Sequence, residues 1–423
     1  MSAVSPHSVL AESPAAEAPR ARARTAASCV LVTDGDERSA LAATRSLIAS
    51  GHTVIVAGKV PRTLAGVSRG AVPVTISADP LLDAAGYVTE IVDCAVRRGV
   101  GVLLPVSDAS VEALLERRHA LPAGLLLPFP ALSSYHAASD KIRILDCARA
   151  AGLDVPESVV FASADEAGRG VAASVFPAVV KPHRSVVATP DGGRQKCHVE
   201  FVANGEELRV VLRALPAQAF PVLVQRRIRG AGEGMFALRW DGSIVATFAH
   251  RRLREKPPAG GVSVYRESIR IAPDLEAAGV RMLEALDWQG VAMIECKLDV
   301  ATGRHVLMEI NGRLWGSLQL AIDAGVDFPS LLVACAEERE VPVQHGYRAG
   351  VRSRWFWGDV DHLYARLTSS ASSLHLDGEF PARLDVIRDF LTVRPGTDRG
   401  EIWRLGDPAP ALLELRRRML GGR

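Results

Sequence analysis

The stretch Gly290–Gly316, GVAMIECKLDVATGRHVLMEINGRLWG, admits few local folds. It reads as two strands, Val291–Val300 and Arg304–Asn311, joined by Ala301-Thr302-Gly303. Apolar and polar residues alternate along both strands, and a Gly late in a three-residue connection accepts the positive φ needed there. A hairpin centred near Thr302 sets Glu295 opposite Glu309, with Asn311 two residues further on the same face. The other face collects Ala292, Ile294, Cys296, Leu298, Val306, Met308 and Ile310. One face is core, and the other gathers two carboxylates and an amide. Such a hairpin more often turns its polar face to water, and Lys297, Asp299 and His305 share this one. Against the solvated reading, like charges directly opposite on neighbouring strands repel unless something positive sits between them. Converging hard oxygen donors suit Mg²⁺ or Mn²⁺. Arg313 follows two residues after Asn311, where a guanidinium can hold a phosphate or carboxylate in bidentate fashion. A one-residue bulge would break this register.

Met308-Glu309-Ile310-Asn311-Gly312-Arg313, preceded by the acidic strand residue Glu295, resembles the metal-binding end of the ATP-grasp superfamily. That superfamily includes biotin carboxylase, carbamoyl-phosphate synthase and D-alanine-D-alanine ligase. The wording LMEINGRLWGSLQLAIDAGVDFP is closer still to the bacterial members called predicted ATP-dependent carboligases, and the resemblance runs from about residue 28 to about 365. It implies a mixed α/β and α+β architecture, in which an N-terminal parallel α/β lobe precedes two α+β lobes clasping ATP.

The totals agree with several lobes. A chain of 423 residues is too long for one simple core, and 48% hydrophobic with 23% charged residues is an ordinary globular composition. The expected division is a disordered tail over 1–27, a Rossmann-like lobe over 28–132, ATP-grasp halves over 133–224 and 225–345, and an extension over 346–423. A formal net charge of +2 with no basic run interleaved with aromatics gives no sign of a nucleic-acid partner. Six cysteines lie far apart without a Cys-x-x-Cys, which fits reduced thiols in the cytoplasm. No run of about 18 apolar residues is long enough to span a membrane. Residues 1–27, rich in Ala, Pro, Ser and Arg, lack the apolar segment of a signal peptide.

In chain order, CVLVTDG, SALAATRSLIASG and HTVIVAGK make a βαβ start and a parallel sheet. The turn Thr33–Arg38 lacks the Gly-x-Gly-x-x-Gly of a dinucleotide site, so the first lobe reads as scaffold. Ser139-Asp140-Lys141 opens a helix with N-cap chemistry. A lysine in a first helical turn is ordinarily just solvated, but the resemblance assigns Lys141 to the nucleotide phosphates. The apolar strand PAVVKPHRS runs into Lys181, which needs a counter-charge or a route to solvent, and a phosphate cleft offers both. By resemblance the loop SVVATPDGGRQK, with Gly192-Gly193, closes over the triphosphate; otherwise it is a plain hairpin loop. The strand Val222–Ile228 matches the segment linking the two halves. There Gln225 takes the position of an adenine-contacting Glu, and the main chain of Arg226 and Ile228 meets the adenine edge. Glu233 is the candidate for the ribose hydroxyls. Arg251, Arg252, Arg254 and Lys256 before a Pro/Gly loop are either a solvated charge run or a site for an anionic substrate, with Arg254 and Lys256 as the substrate candidates beside Arg313. Trp355, Phe356 and Trp357 read as packing.

The resemblance implies an ATP-dependent ligase. A small carboxylic acid is phosphorylated to an acyl phosphate and then joined to an amine, with the metal held by Glu295, Glu309 and Asn311 and with Arg313 and Lys181 assisting transfer. A homodimer is common among similar proteins. Two rivals stand beside it: bicarbonate as the phosphorylated acid, and an ATP-binding module without catalysis. No Ser-His-Asp or Cys-His pattern competes.

Overall fold

A computed structural model describes residues 28–168, 170–189, 193–344, 346–371, 373–374, 376 and 382–421. The tail expected over 1–27 lies outside them, as does Gly192 of the loop expected over the triphosphate.

Buried runs with helices between them build the first sheet. Strands β1 (Cys29–Val32), β2 (Thr53–Gly58), β3 (Val72–Thr75) and β4 (Val102–Leu104) lie parallel in the order β3-β2-β1-β4. Helices α1 (Arg38–Ala49), α2 (Ala84–Arg98) and α3 (Asp108–Glu116) connect and cover them. Asp83 and Ser107 cap α2 and α3 by accepting from Gly86 and Ser110 amides.

Helices α4 (Leu132–Ser139) and α5 (Arg143–Ala150) then lead out of this lobe. The Asp140 carboxylate accepts from the Ile142 and Arg143 amides at 2.9 and 3.1 Å, so the expected capping chemistry starts α5 at Arg143, after Lys141. The middle lobe holds β5 (Ser158–Phe161), β6 (Ala178–Pro182), β7 (Val186–Ala188), β8 (Arg194–Lys196), β9 (Glu200–Val202), α6 (Gly205–Ala214) and β10 (Val222–Arg226). Its sheet runs β5-β10-β6-β9, antiparallel, while β7 and β8 pair as a separate ribbon. Phe161, Val180, Leu208, Leu212, Val222 and Val224 give this lobe a core of its own. The strand expected to reach Ile228 stops at Arg226.

The third sheet contains β11 (Gly232–Trp240), β12 (Ser243–Lys256), β13 (Val262–Ser268), β14 (Gly290–Leu298) and β15 (His305–Asn311), with α7 (Pro273–Ala285) packed on one face and α8 (Leu318–Ala324) and α9 (Phe328–Ala336) following. Residues expected as an appended extension are integral to it. Strands β16 (Arg352–Arg354) and β17 (Asp398–Gly400) complete the order β15-β14-β11-β12-β13-β16-β17. Helices α10 (Phe356–Thr368), α11 (Arg383–Leu391) and α12 (Ala409–Met419) surround these last strands in sequence. The first and third sheets share apolar cores. Leu31, Ile55 and Leu103 pack with Ala292, Ile294 and Ile310, and Val30, Val54 and Val102 pack with Phe236, Phe248 and Trp315. Among the described residues no single helix is long and apolar enough to cross a membrane.

The connection between the middle and third sheets is fixed by a close approach. Leu298 N–H donates to Ala231 and Val300 N–H to Arg229, which presses Gly230 onto the end of β14. Gly230 has φ +145, and a Cβ there would lie 1.8 Å from the Leu298 carbonyl oxygen. Gly230→Ala is therefore expected to cost about 3 kcal/mol of stability. Gly303→Ala, at φ +67 in open space, should cost only about 1 kcal/mol. Denaturation midpoints at unchanged slope check both.

Candidate active site

Strands β14 and β15 pair antiparallel with Glu295 opposite Glu309 and Met293 opposite Asn311. The hairpin is not symmetric, because a one-residue bulge separates the Glu295 pair from Cys296↔Leu307. The bulge corrects the apolar face expected from strict alternation. Leu307, fully buried, takes the core position beside Cys296, and Met308 turns to the cleft. The loop is also longer than expected, since the strands end at Leu298 and resume at His305; Asp299 accepts from the Ala301 amide at 3.1 Å within it.

The two glutamates face a cleft of about 570 Å³ between the middle and third sheets, a size ordinary for a small-molecule site. Each has its own cations. Glu309 accepts from Asn311 Nδ2 at 3.2 Å and lies 3.6 Å from Lys141 Nζ. Burial pushes the Glu309 carboxyl up, but Lys141, Lys181 and Asn311 outweigh it and hold it below the usual carboxylate range. Glu295 pairs with Arg252 Nη2 at 2.5 Å, and burial, offset in part by that arginine, holds its carboxyl above its ordinary value. Lys181 extends from β6 into the same cleft. Burial, with Lys141 nearby, pulls its ammonium down to about 8 against the opposing pull of Glu309 and Glu295.

Lys141 is nearly buried at the seam between lobes. Its Nζ donates to Ser185 Oγ at 3.0 Å and its N–H to the His183 carbonyl at 2.9 Å. Arg313 lines the cleft, with its Nε donating to Asp108 Oδ1 at 2.8 Å; Tyr135 OH donates to the same oxygen at 3.3 Å. At the far end Gln225 is buried, its Nε2 donating to Ser158 Oγ at 3.0 Å. The Arg226 N–H donates to Glu157 O at 2.8 Å, and the Ile228 carbonyl accepts from Lys297 Nζ at 3.3 Å. Gln225, Arg226 and Ile228 all line the cleft.

Two expected residues sit elsewhere. Glu233, expected at a ribose, is 4% exposed and enclosed by Arg251 Nε at 2.7 Å and His305 Nε2 at 2.9 Å, away from the cleft lining. Arg254, expected at the substrate, faces a second cavity and pairs with Asp359 at 2.9 Å and Asp389 at 3.0 Å. The cause is two irregularities in β12 on either side of Arg254, which break the alternation that would have set it beside Lys256. Lys256 does reach the cleft, paired with Asp361 at 2.5 Å.

Arg252, read only as one member of a basic run, is the cation on Glu295. Its signal was Gly232-Glu233-Gly234. Both glycines share one face of β11, and a Cβ on Gly232 would lie 2.8 Å from Arg252 Cδ. The missing side chain lets Arg252 cross β11 to a glutamate on β14. The β7–β8 ribbon, expected as a cover, bonds to the first lobe through Arg194 N–H to Leu81 O at 2.6 Å and an Arg194–Glu116 ion pair.

Solved structures share this architecture. An L-amino acid ligase from Bacillus licheniformis superimposes with a TM-score of 0.56 at 14% identity, over 77% of this chain and 78% of that one. An N5-carboxyaminoimidazole synthetase from Staphylococcus aureus gives 0.55 at 13% identity, over 74% and 78%. The biotin carboxylase domain of Hydrogenobacter thermophilus 2-oxoglutarate carboxylase, in complex with MgADP, ADP and bicarbonate, gives 0.58 at 16% identity, over 76% and 73%. The chain has the ATP-grasp fold. Its residues 221–357 match the family described as ATP-grasp in the biosynthetic pathway with Ter operon.

Since Glu233 closes an internal ion-pair set, Glu233→Gln should lower stability by about 2 kcal/mol while leaving nucleotide affinity within about twofold. Denaturation and a nucleotide titration on the same variant separate the two effects.

Proposed function

We propose that this chain is an ATP-dependent ligase that activates a small carboxylic acid as an acyl phosphate and joins it to an amine. One observation carries the reading: Glu295, Glu309, Asn311 and Lys181, from two different sheets, line one cleft. Two carboxylates and a carboxamide are hard donors in a pattern that fits Mg²⁺ or Mn²⁺. Bound there, the ion would supply charge neutralisation on phosphate oxygens.

The chain's own residues do the rest. Gln225 and the main chain near Arg226 and Ile228 bound the end of the cleft suited to the base. Lys181 and Lys141 lie where triphosphate charge would be met, and Lys141 also holds Glu309 ionised. Arg313, braced by Asp108, presents its guanidinium edge to the transferred phosphoryl group or the acid. Such a transfer asks for positioning and electrostatics and not for a protein nucleophile. The acid's carboxylate oxygen attacks the γ-phosphorus and ADP leaves; the amine then attacks the acyl carbon, phosphate leaves, and the amine gives up a proton. The L-amino acid ligase among the structural relatives supports this reaction class. The relative solved with bicarbonate supports a second reading, in which bicarbonate is the phosphorylated acid.

Hydroxylamine in place of the amine traps an acyl phosphate as a hydroxamate. Acid-dependent ADP release with hydroxamate is the expected result, and release driven by bicarbonate alone would favour the second reading. In Glu309→Gln, hydroxamate formation should fall by about 100-fold or more with an unchanged circular dichroism spectrum. Turnover near wild type in that variant would remove Glu309 from the site. Lys181 carries its charge below about 8 and loses it above. ATP affinity measured in EDTA should therefore weaken as pH rises through that value, and Lys181→Met should flatten the profile.

A further inference from the structure

Three cations that line the cleft share one construction. Arg313, Arg38 and Lys256 are each clamped by a carboxylate from another part of the chain: Asp108 on α3 at 2.8 Å, Glu401 just after β17 at 2.8 Å, and Asp361 on α10 at 2.5 Å. Among the described residues none of these three carboxylates lines the cleft. Each cation is therefore held from behind, and its side chain stays reachable, with 24%, 12% and 43% exposure in turn. Neutralisation is incomplete, because every one of the carboxylates serves a second cation. Glu401 also pairs with the fully buried Arg266 at 2.5 Å, Asp361 with Arg418, and Lys141 acts on Asp108.

Arg38, the first residue of α1, is the most constrained of the three. Its Nη1 donates to both oxygens of Glu401, at 3.0 and 2.8 Å, and its guanidinium stacks 4.2 Å from the centre of the Trp355 ring. Lys256 Nζ lies 5.7 Å from the centre of the same ring. Nη2 of Arg38 reaches over Gly316, three residues on from Arg313, where a Cβ would lie 3.0 Å from it. A guanidinium fixed at one nitrogen and on one face, with its remaining edge at a cleft, is a preformed clamp for a planar anion. A structural bond from α1 to Glu401 accounts for Nη1 alone. It leaves unexplained why a second cation gathers on the same ring. Two such charges repel, and an anion held between them removes the repulsion.

We propose that Arg38 and Lys256 hold a second carboxylate on the acid substrate, so that the acid is a dicarboxylate whose far end they bind while Arg313 meets the end that is phosphorylated. The inference rests on the ligase reading. In that reading Lys181 and Lys141 meet the triphosphate, and neither Arg38 nor Lys256 has a part in it. An alkyl acid would set an apolar end against two cations stripped of water, and a site built to hydrogen-bond its substrate rejects the analogue that lacks the group.

The test uses the full chain, ATP, Mg²⁺ and hydroxylamine with acids matched in carbon count: butyrate and succinate, valerate and glutarate, norvaline and glutamate. A dicarboxylate should react with kcat/KM at least about tenfold above its monocarboxylate counterpart. Lys256→Met removes one of the two charges. Gly316→Ala displaces the Arg38 head while leaving Arg38 in place, so that Glu401 is not stranded. Each should raise KM for that acid by about fivefold or more and shrink the preference, without a comparable rise in the KM for ATP. Unchanged melting temperatures exclude a folding effect. Monocarboxylates reacting as well as their partners, or both variants keeping the wild-type preference, overturns the subsite and leaves the ligase reading standing. If no acid releases ADP, bicarbonate included, the ligase reading fails and takes the subsite with it.

Discussion

Two carboxylates held opposite each other on neighbouring strands, at the edge of a core, repel by about 3 kcal/mol for side chains about 5 Å apart in an effective dielectric near 20. That is a large fraction of the net stability of an ordinary domain. Glu295 and Glu309 tolerate it because cations arrive from three separate parts of the chain. Arg252 crosses β11 from the same sheet, Lys181 comes from the middle sheet, and Lys141 comes from the turn leading into α5. The hairpin's charge can be balanced only when the lobes are assembled, so the same interaction that makes the cleft chemically useful also ties its walls together.

The hairpin and the parallel start were legible because their signals are local. Alternation over eight residues and short buried runs between helices depend on the strand's own period and little else. Arg252 was not legible, since its role depends on two glycines in a neighbouring strand. Arg254 was misdirected for a related reason: alternation predicts a face only while the ladder is unbroken, and β12 is irregular on both sides of it. The bulge in β15 was the opposite case. It changed which apolar residues face the core, yet left Glu295 and Glu309 paired, because the shift falls on the turn side of that pair.

Strands β16 and β17 show what sequence reading lacks altogether. RSR and DRG have no strand propensity. They are extended because β13 offers an edge to β16 and β16 offers one to β17, and because their charges find partners on β13: Arg352 on Glu267 at 2.8 Å, and Asp398 on the Tyr265 hydroxyl at 2.8 Å. These strands bring Glu401 to Arg38 and to the fully buried Arg266. A buried ion pair is a weak source of stability but a strict fixer of geometry, since removing one partner strands the other charge. Arg38 lies on the cleft rim, stacked on Trp355 at 4.2 Å, so the far C-terminal strands help to position the wall of the cleft that Glu309 also lines.

The charge states within the site point to how its two halves communicate. Burial drives Lys181 down and Glu295 up, so each lies closer to its neutral form than it would in water. Lys181 stands on the middle sheet and Glu295 on the third, and across the cleft the carboxylate opposes the fall of the ammonium, so the charge of each wall depends on the other wall being in place.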